Sequence, residues 1–184
     1  MRTVRKLLFV TVAVLAMGCA TEPEKQHQPS FVNESLAAVD WFENRTPGLR
    51  DQIDSSAAYI IYPNVSQWGI IISGGKFGRG MVNRPDGAQI GWAAINVGSV
   101  GLQAGVRGFK LLVVLKDEDT LKKFQQNKLT GSVSGVVVAA DTGASGKASF
   151  TNGVAVYEGA STGLMAGVNI GLDYMRYTPL TQSK

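Results

Sequence analysis

The sequence predicts an α+β domain: a curled, mostly antiparallel β-sheet, forming a partial barrel or sandwich, with short N-terminal helices and one mid-chain helix. Three observations predict it. Helical apolar spacing occurs only near the start of the chain and around residues 118–127, and strand-like runs fill most of the rest. The chain holds 22 glycines in 184 residues, and several sit inside those strand-like runs. A glycine there marks a sharp bend or a close approach. Finally, there is no internal repeat and no second domain, so one core must serve the whole chain.

The N-terminus reads as an address. Arg2, Arg5 and Lys6 precede an apolar run over residues 7–17. That run is shorter than the roughly 20 residues that cross a bilayer, and it fits the apolar region of a signal peptide. It ends in Ala16-Met17-Gly18-Cys19. This resembles a bacterial lipobox, in which cleavage leaves a cysteine carrying acyl chains such as palmitate. The leucine of that motif stands one position early here, as Leu15. Cys19 is the only cysteine, so no intrachain disulfide is possible. Ala20 is not the Asp that would resemble an inner-membrane retention signal. The expected location is therefore the periplasmic face of the outer membrane. The expected division is residues 1–18 signal peptide, 19–30 lipidated Cys19 and polar tether, 31–178 the domain, and 179–184 a tail.

Within the domain, Leu36, Val39 and Phe42 predict a short amphipathic helix over residues 35–44. Thr46-Pro47 predicts a second helix start, with Thr46 as N-cap and Pro47 in the first position. Leu49, Ile53 and Ala57 continue it at helical spacing. Residues 58–62 (AYIIY) read as a strand ended by Pro63, and residues 68–73 as the next strand. Residues 74–80 (GGKFGRG) read as strand–turn–strand, and residues 83–87 (NRPDG) as a turn. Val100, Leu102, Ala104 and Val106 alternate with polar and glycine positions. Residues 110–115 (KLLVVL) form a buried strand, and Asp117 opens a helix that buries Leu121 and Phe124. Residues 133–140 return to strand, and residues 141–147 form a loop. Residues 154–157 and 163–174 close the fold as a hairpin, with a glycine face that includes Gly167.

Composition and motifs exclude several functions. The net charge is +4, but removing Arg2, Arg5 and Lys6 from the 18 basic residues leaves 15 against 14 acidic ones. Such a balance does not predict a nucleic-acid binder, whose affinity rests on many neutralised phosphates. Residues 159–163 (GASTG) match the G-x-S-x-G nucleophile elbow by letter. The elbow needs a following helix and a downstream histidine, and the one histidine is His27. A hairpin turn is the expectation instead. Residues 143–148 resemble a P-loop that lacks its first glycine and its magnesium-binding hydroxyl. One Cys and one His cannot form a tetrahedral metal site. Asp117, Glu118 and Asp119 complement the helix dipole. No catalytic residue, metal or cofactor is expected, and the chain is not expected to be an enzyme.

Taken in order, Tyr62-Pro63-Asn64-Val65, residues 69–80 (GIIISGGKFGRG), residues 101–105 (GLQAG), the KLLVVL strand with its helix, Tyr157, and residues 163–167 (GLMAG) resemble the SYLF, or Ysc84-like, family. The bacterial lipoprotein branch is the closer likeness. The resemblance spans residues 31–178 and implies lipid binding. Eukaryotic members join the domain to an SH3 module and bind phosphoinositides, and some bind actin. No SH3-like segment stands here, so the actin role does not carry over; the phosphoinositide preference is attributed to a basic N-terminal region, where the helix here carries Glu34, Asp40 and Glu43. The expected partner is membrane phospholipid, with anionic headgroups as candidates, and envelope proteins as an alternative. Lys76 and Arg79 are candidate headgroup contacts beside the backbone donors of a glycine-rich turn. Arg84, Arg107 and Lys110 are further candidates. For each of the five, a solvated surface charge is the competing reading. The expected function is an exported, lipid-anchored envelope protein that binds lipid without chemistry. The alternative is an envelope protein-interaction module, with lipid only as its anchor.

Overall fold

The computed structural model describes residues 21–70, 73–100, 105–133, 136–139, 146–162, 170–172 and 175–180. A 3-10 turn (Lys25–His27) leads into α1 (Gln28–Glu43), followed by α2 (Leu49–Asp54). Four long strands come next: β1 (Ala58–Ile70), β2 (Ser73–Asn83), β3 (Gln89–Val100) and β4 (Gly105–Leu115). Then follow α3 (Glu118–Gln125), β5 (Ser132–Val133), β6 (Val136–Ala139), β7 (Val154–Thr162), β8 (Ile170–Gly171) and β9 (Met175–Pro179). Seven strands form one sheet in the order β6-β7-β4-β1-β2-β3-β9. All its pairings are antiparallel except β6 with β7. β5 and β8 pair separately. The fold is α+β, with a curled sheet that does not close among the described residues.

At one end the sheet is covered on both faces. Ile60, Tyr62, Leu111 and Val113 pack with Leu121 and Phe124 of α3. Tyr59, Ile61, Leu112 and Val114 pack on the opposite face with Phe42 of α1 and with Leu49 and Ile53 of α2. This explains why residues 58–62 and 110–115 read as nearly continuous apolar runs: a strand buried on both faces has no polar side to alternate with. Each fully buried Leu, Ile or Phe contributes roughly 1.5–3 kcal/mol. Asp117 caps α3 as expected, accepting from the Thr120 amide at 2.9 Å. The turn after β2 also forms where expected, with the Gly87 N–H donating to the Arg84 carbonyl at 2.9 Å.

Other expectations are corrected. Pro63 does not end a strand. β1 runs through it, and the register to both neighbours shifts there, between Ile61 and Asn64 against β2 and between Tyr62 and Val65 against β4. Proline cannot donate to a ladder, so inside a central strand it sits at a bulge. GGKFGRG contains no turn and lies wholly in β2. The alternating run from Val100 to Arg107 is not one strand. β3 ends at Val100, β4 begins at Gly105, and residues 101–104 lie outside the described ones.

The N-terminal helices also differ from expectation. α1 begins at Gln28, inside the stretch read as tether, because Pro29 falls in the first turn, where a proline costs no hydrogen bond. Its buried stripe is Ser35, Ala38, Val39 and Phe42, and Leu36 is 46% exposed. α2 starts after Gly48, which adopts a left-handed φ of 75°, and Thr46 provides no side-chain cap. Residues 159–162 are strand rather than a turn. A Cβ on Gly159 would lie 2.9 Å from Lys110 Cβ and 3.0 Å from Trp41 Cζ3, so this glycine admits α1 against β7. Most of the expected strand over 163–174, Gly167 included, lies outside the described residues, as do residues 141–145 of the expected loop.

Candidate functional site

Beyond the Pro63 bulge the long strands change character. Val65 pairs with Gly78, Ser66 with Phe77, Gln67 with Lys76, and Trp68 with Gly75. Two-residue alternation places Ser66, Trp68, Phe77 and Arg79 on the face that carries α1, and Lys76 on the opposite face. Trp68 and Phe77 are diagonal neighbours across the two strands, and they are 40% and 55% exposed. Gly75 opposite Trp68 leaves no side chain to cover the indole.

The five candidate cations do not form one patch. Arg79 lines a groove of about 660 Å³ between the N-terminal segment and strands β1, β2 and β3. Phe31, Glu34, Asn64 and Phe77 line it as well. Lys110 borders a second groove of about 670 Å³ on the other flank of α1, with its ammonium 5.4 Å from the Trp41 ring centroid. Glu34, Pro63 and Asn64 line both grooves, so α1 crosses the sheet at the bulge with an open channel on each side. Lys76 lies opposite Gln67 on the far face. Arg107 also lies opposite Gln67, from β4, but its side chain lies outside the described residues. Arg84 sits at the covered end, where its guanidinium bonds to the Glu118 carboxylate and to the Ala57 carbonyl (3.0 Å). It stands about 26 Å along the chain from Lys76 at roughly 3.3 Å per strand residue. Cys19 lies outside the described residues.

The buried polar groups have structural roles. The Tyr157 hydroxyl donates to Gln52 Oε1 and accepts from the Ala148 amide (2.9 Å), while Gln52 Nε2 donates to the Ala148 carbonyl (3.0 Å). The triangle ties α2, β7 and the segment before β7 together. Burial pushes the Tyr157 phenol up, and the Ala148 amide opposes that shift. Burial alone pushes Tyr62 well above the ordinary phenol value, and its hydroxyl has no partner among the described residues. Among the described residues no group of three His, Cys, Asp or Glu could hold a metal ion.

Sequence reasoning named the cations and missed the aromatics. The available signal was alternation: read back from Trp68, it places Trp68 and Ser66 on one face, and Phe77 is the one large apolar side chain among the glycines of β2.

Sheet, helices and grooves together define an α+β domain with one sealed end and one open, aromatic end. Residues 96–177 match the Ysc84 family, described as "Las17-binding protein actin regulator". The match runs from the end of β3 into β9 and covers less than half of the chain. Helix α1 and strands β1 and β2, which build most of the first groove, precede it. No curated protein and no solved structure matches the chain.

Proposed function

We propose that this is an exported, lipid-anchored envelope protein whose SYLF-type domain binds phospholipid and performs no chemistry. Cys19 carries the anchor, and the domain works at the periplasmic face of the outer membrane. The observation that carries the reading is the exposed pair Trp68 and Phe77 at the open end of the sheet. The Trp68 indole, apolar with one N–H, suits a membrane–water interface, and the exposed Phe77 ring adds apolar area beside it. Arg79 lies beside them on the same face, and each cation near an anionic surface contributes about 1 kcal/mol. The family match supports a binding role, and the sequence of residues 1–19 supports export and anchoring.

A second reading is an envelope protein-interaction module with lipid only as its anchor. The family's description as Las17-binding favours it. Vesicle flotation of protein lacking residues 1–19 separates the two. Capture by vesicles without the anchor supports lipid binding by the domain. No capture by neutral or anionic vesicles leaves the interaction module.

A further inference from the structure

The groove between α1 and the sheet has a composition that a flat membrane contact does not need. We propose that it holds a single phospholipid molecule with a zwitterionic, primary-amine head. The inference rests on the lipid-binding reading above and names its site.

Three features lead there. The groove is open to solvent along its length and has a volume of about 660 Å³, within the range of small-molecule sites. Its apolar lining comes from both walls, Phe31 on α1 and Phe77 on β2. Phe77 is also 55% exposed at the open end of the sheet, so the groove communicates with the face that meets the membrane. An acyl chain can therefore pass from one apolar environment to the other along that ring.

The charges select the head. Arg79 lines the groove together with two carboxylates, Glu34 and Glu24, the latter with His27 Nδ1 3.6 Å away. A guanidinium fits a phosphate through paired N–H donors. The carboxylates fit an ammonium that donates N–H bonds. A head with only negative charge would meet Glu24 and Glu34 as like charges. A quaternary ammonium offers the carboxylates no donor. An ethanolamine head satisfies both signs.

The test uses the full chain purified in detergent and native mass spectrometry. The probes are phosphatidylethanolamine, phosphatidylcholine and phosphatidylglycerol with identical acyl chains. A one-to-one adduct that prefers the ethanolamine lipid is expected. Ser66→Trp, which places an indole in the groove, should reduce it by about tenfold or more. Glu34→Gln and Arg79→Gln alter exposed positions and should each remove most of the preference, about tenfold for one charge-assisted bond. An undiminished adduct in folded Ser66→Trp, or a preference for the glycerol lipid, overturns the groove site while vesicle capture keeps the lipid-binding reading. If Ser66→Trp does not fold, full preference in both other variants overturns the site. Absence of any adduct together with absence of vesicle capture overturns both.

Discussion

Strand β1 contains two proteins' worth of chemistry on either side of Pro63. Before it, Ala58, Ile60 and Ile61 are fully buried and Tyr59 nearly so, with a helix packed over each face. After it, Val65 and Gln67 stay buried on one face, while on the face that carries α1 Ser66 is only partly covered and Trp68 is 40% exposed, although the strand still pairs with β2 and β4 on both edges. The backbone ladder is thus nearly the same in the two halves and the side-chain environment is not. Backbone pairing alone leaves a surface available. Helices close both faces before the bulge, and past it α1 leaves an open groove lined by Phe31, Glu34, Ser66 and Phe77. One face of the far end is thus left open.

Mutations can break this division, beginning at the sealed end. Phe42 is fully buried where α1 meets the sheet, so Phe42→Ala should lower unfolding free energy by about 3–5 kcal/mol in a denaturant titration. Gly159→Val should cost about 3 kcal/mol, because the new side chain enters the contact between Trp41, Phe42 and Lys110. A near-neutral result would show that α1 can shift outward without loss. Tyr157→Phe leaves Gln52 and the Ala148 amide without their shared hydroxyl and should cost about 1.5 kcal/mol.

At the open end the pattern should reverse. Trp68→Ser and Phe77→Ser should change stability by no more than about 0.5 kcal/mol, as surface changes do. Both should reduce vesicle capture of protein lacking residues 1–19. Loss of stability without loss of capture would mean that the two rings belong to the core.

The smallest effect concerns pH. The Asp117 carboxyl is held below its ordinary value, first by the Thr120 backbone N–H and then by the Thr120 hydroxyl. A depressed folded value means that this stabilisation is present above about pH 4 and is lost as pH falls through the folded value. Asn is also a good N-cap but does not titrate in this range. Asp117→Asn should therefore keep α3 at pH 7 and flatten the acid limb of a stability-versus-pH curve. An unchanged acid limb would assign that limb to other carboxylates.

Local features were legible in the sequence. The continuous apolar run of β4, the Asp117 cap with Leu121 and Phe124 on one face, and the NRPDG turn each depend on a few adjacent residues, and each formed as read. The candidate cations were legible as residue types. Their separation was not, because it depends on strand parity. Lys76 and Arg79 stand three residues apart, which is neighbouring in a turn and opposite-facing in a strand.

By itself, the sequence determined the α+β class, the helix between β4 and β5, the family likeness later matched over residues 96–177, and a glycine-rich sheet that had to curl. Only the tertiary structure decided that Pro63 lies inside a central strand, that GGKFGRG is strand, and that α1 begins at Gln28 and leaves a channel on either flank. The reason is physical. A proline or a glycine run weakens a strand locally, and the local signal is then a stop or a turn. Here partners on both edges supply the pairing that the segment cannot secure alone, β2 and β4 for Pro63 and β1 and β3 for the glycine run, and they include residues as distant as Leu111 opposite Tyr62.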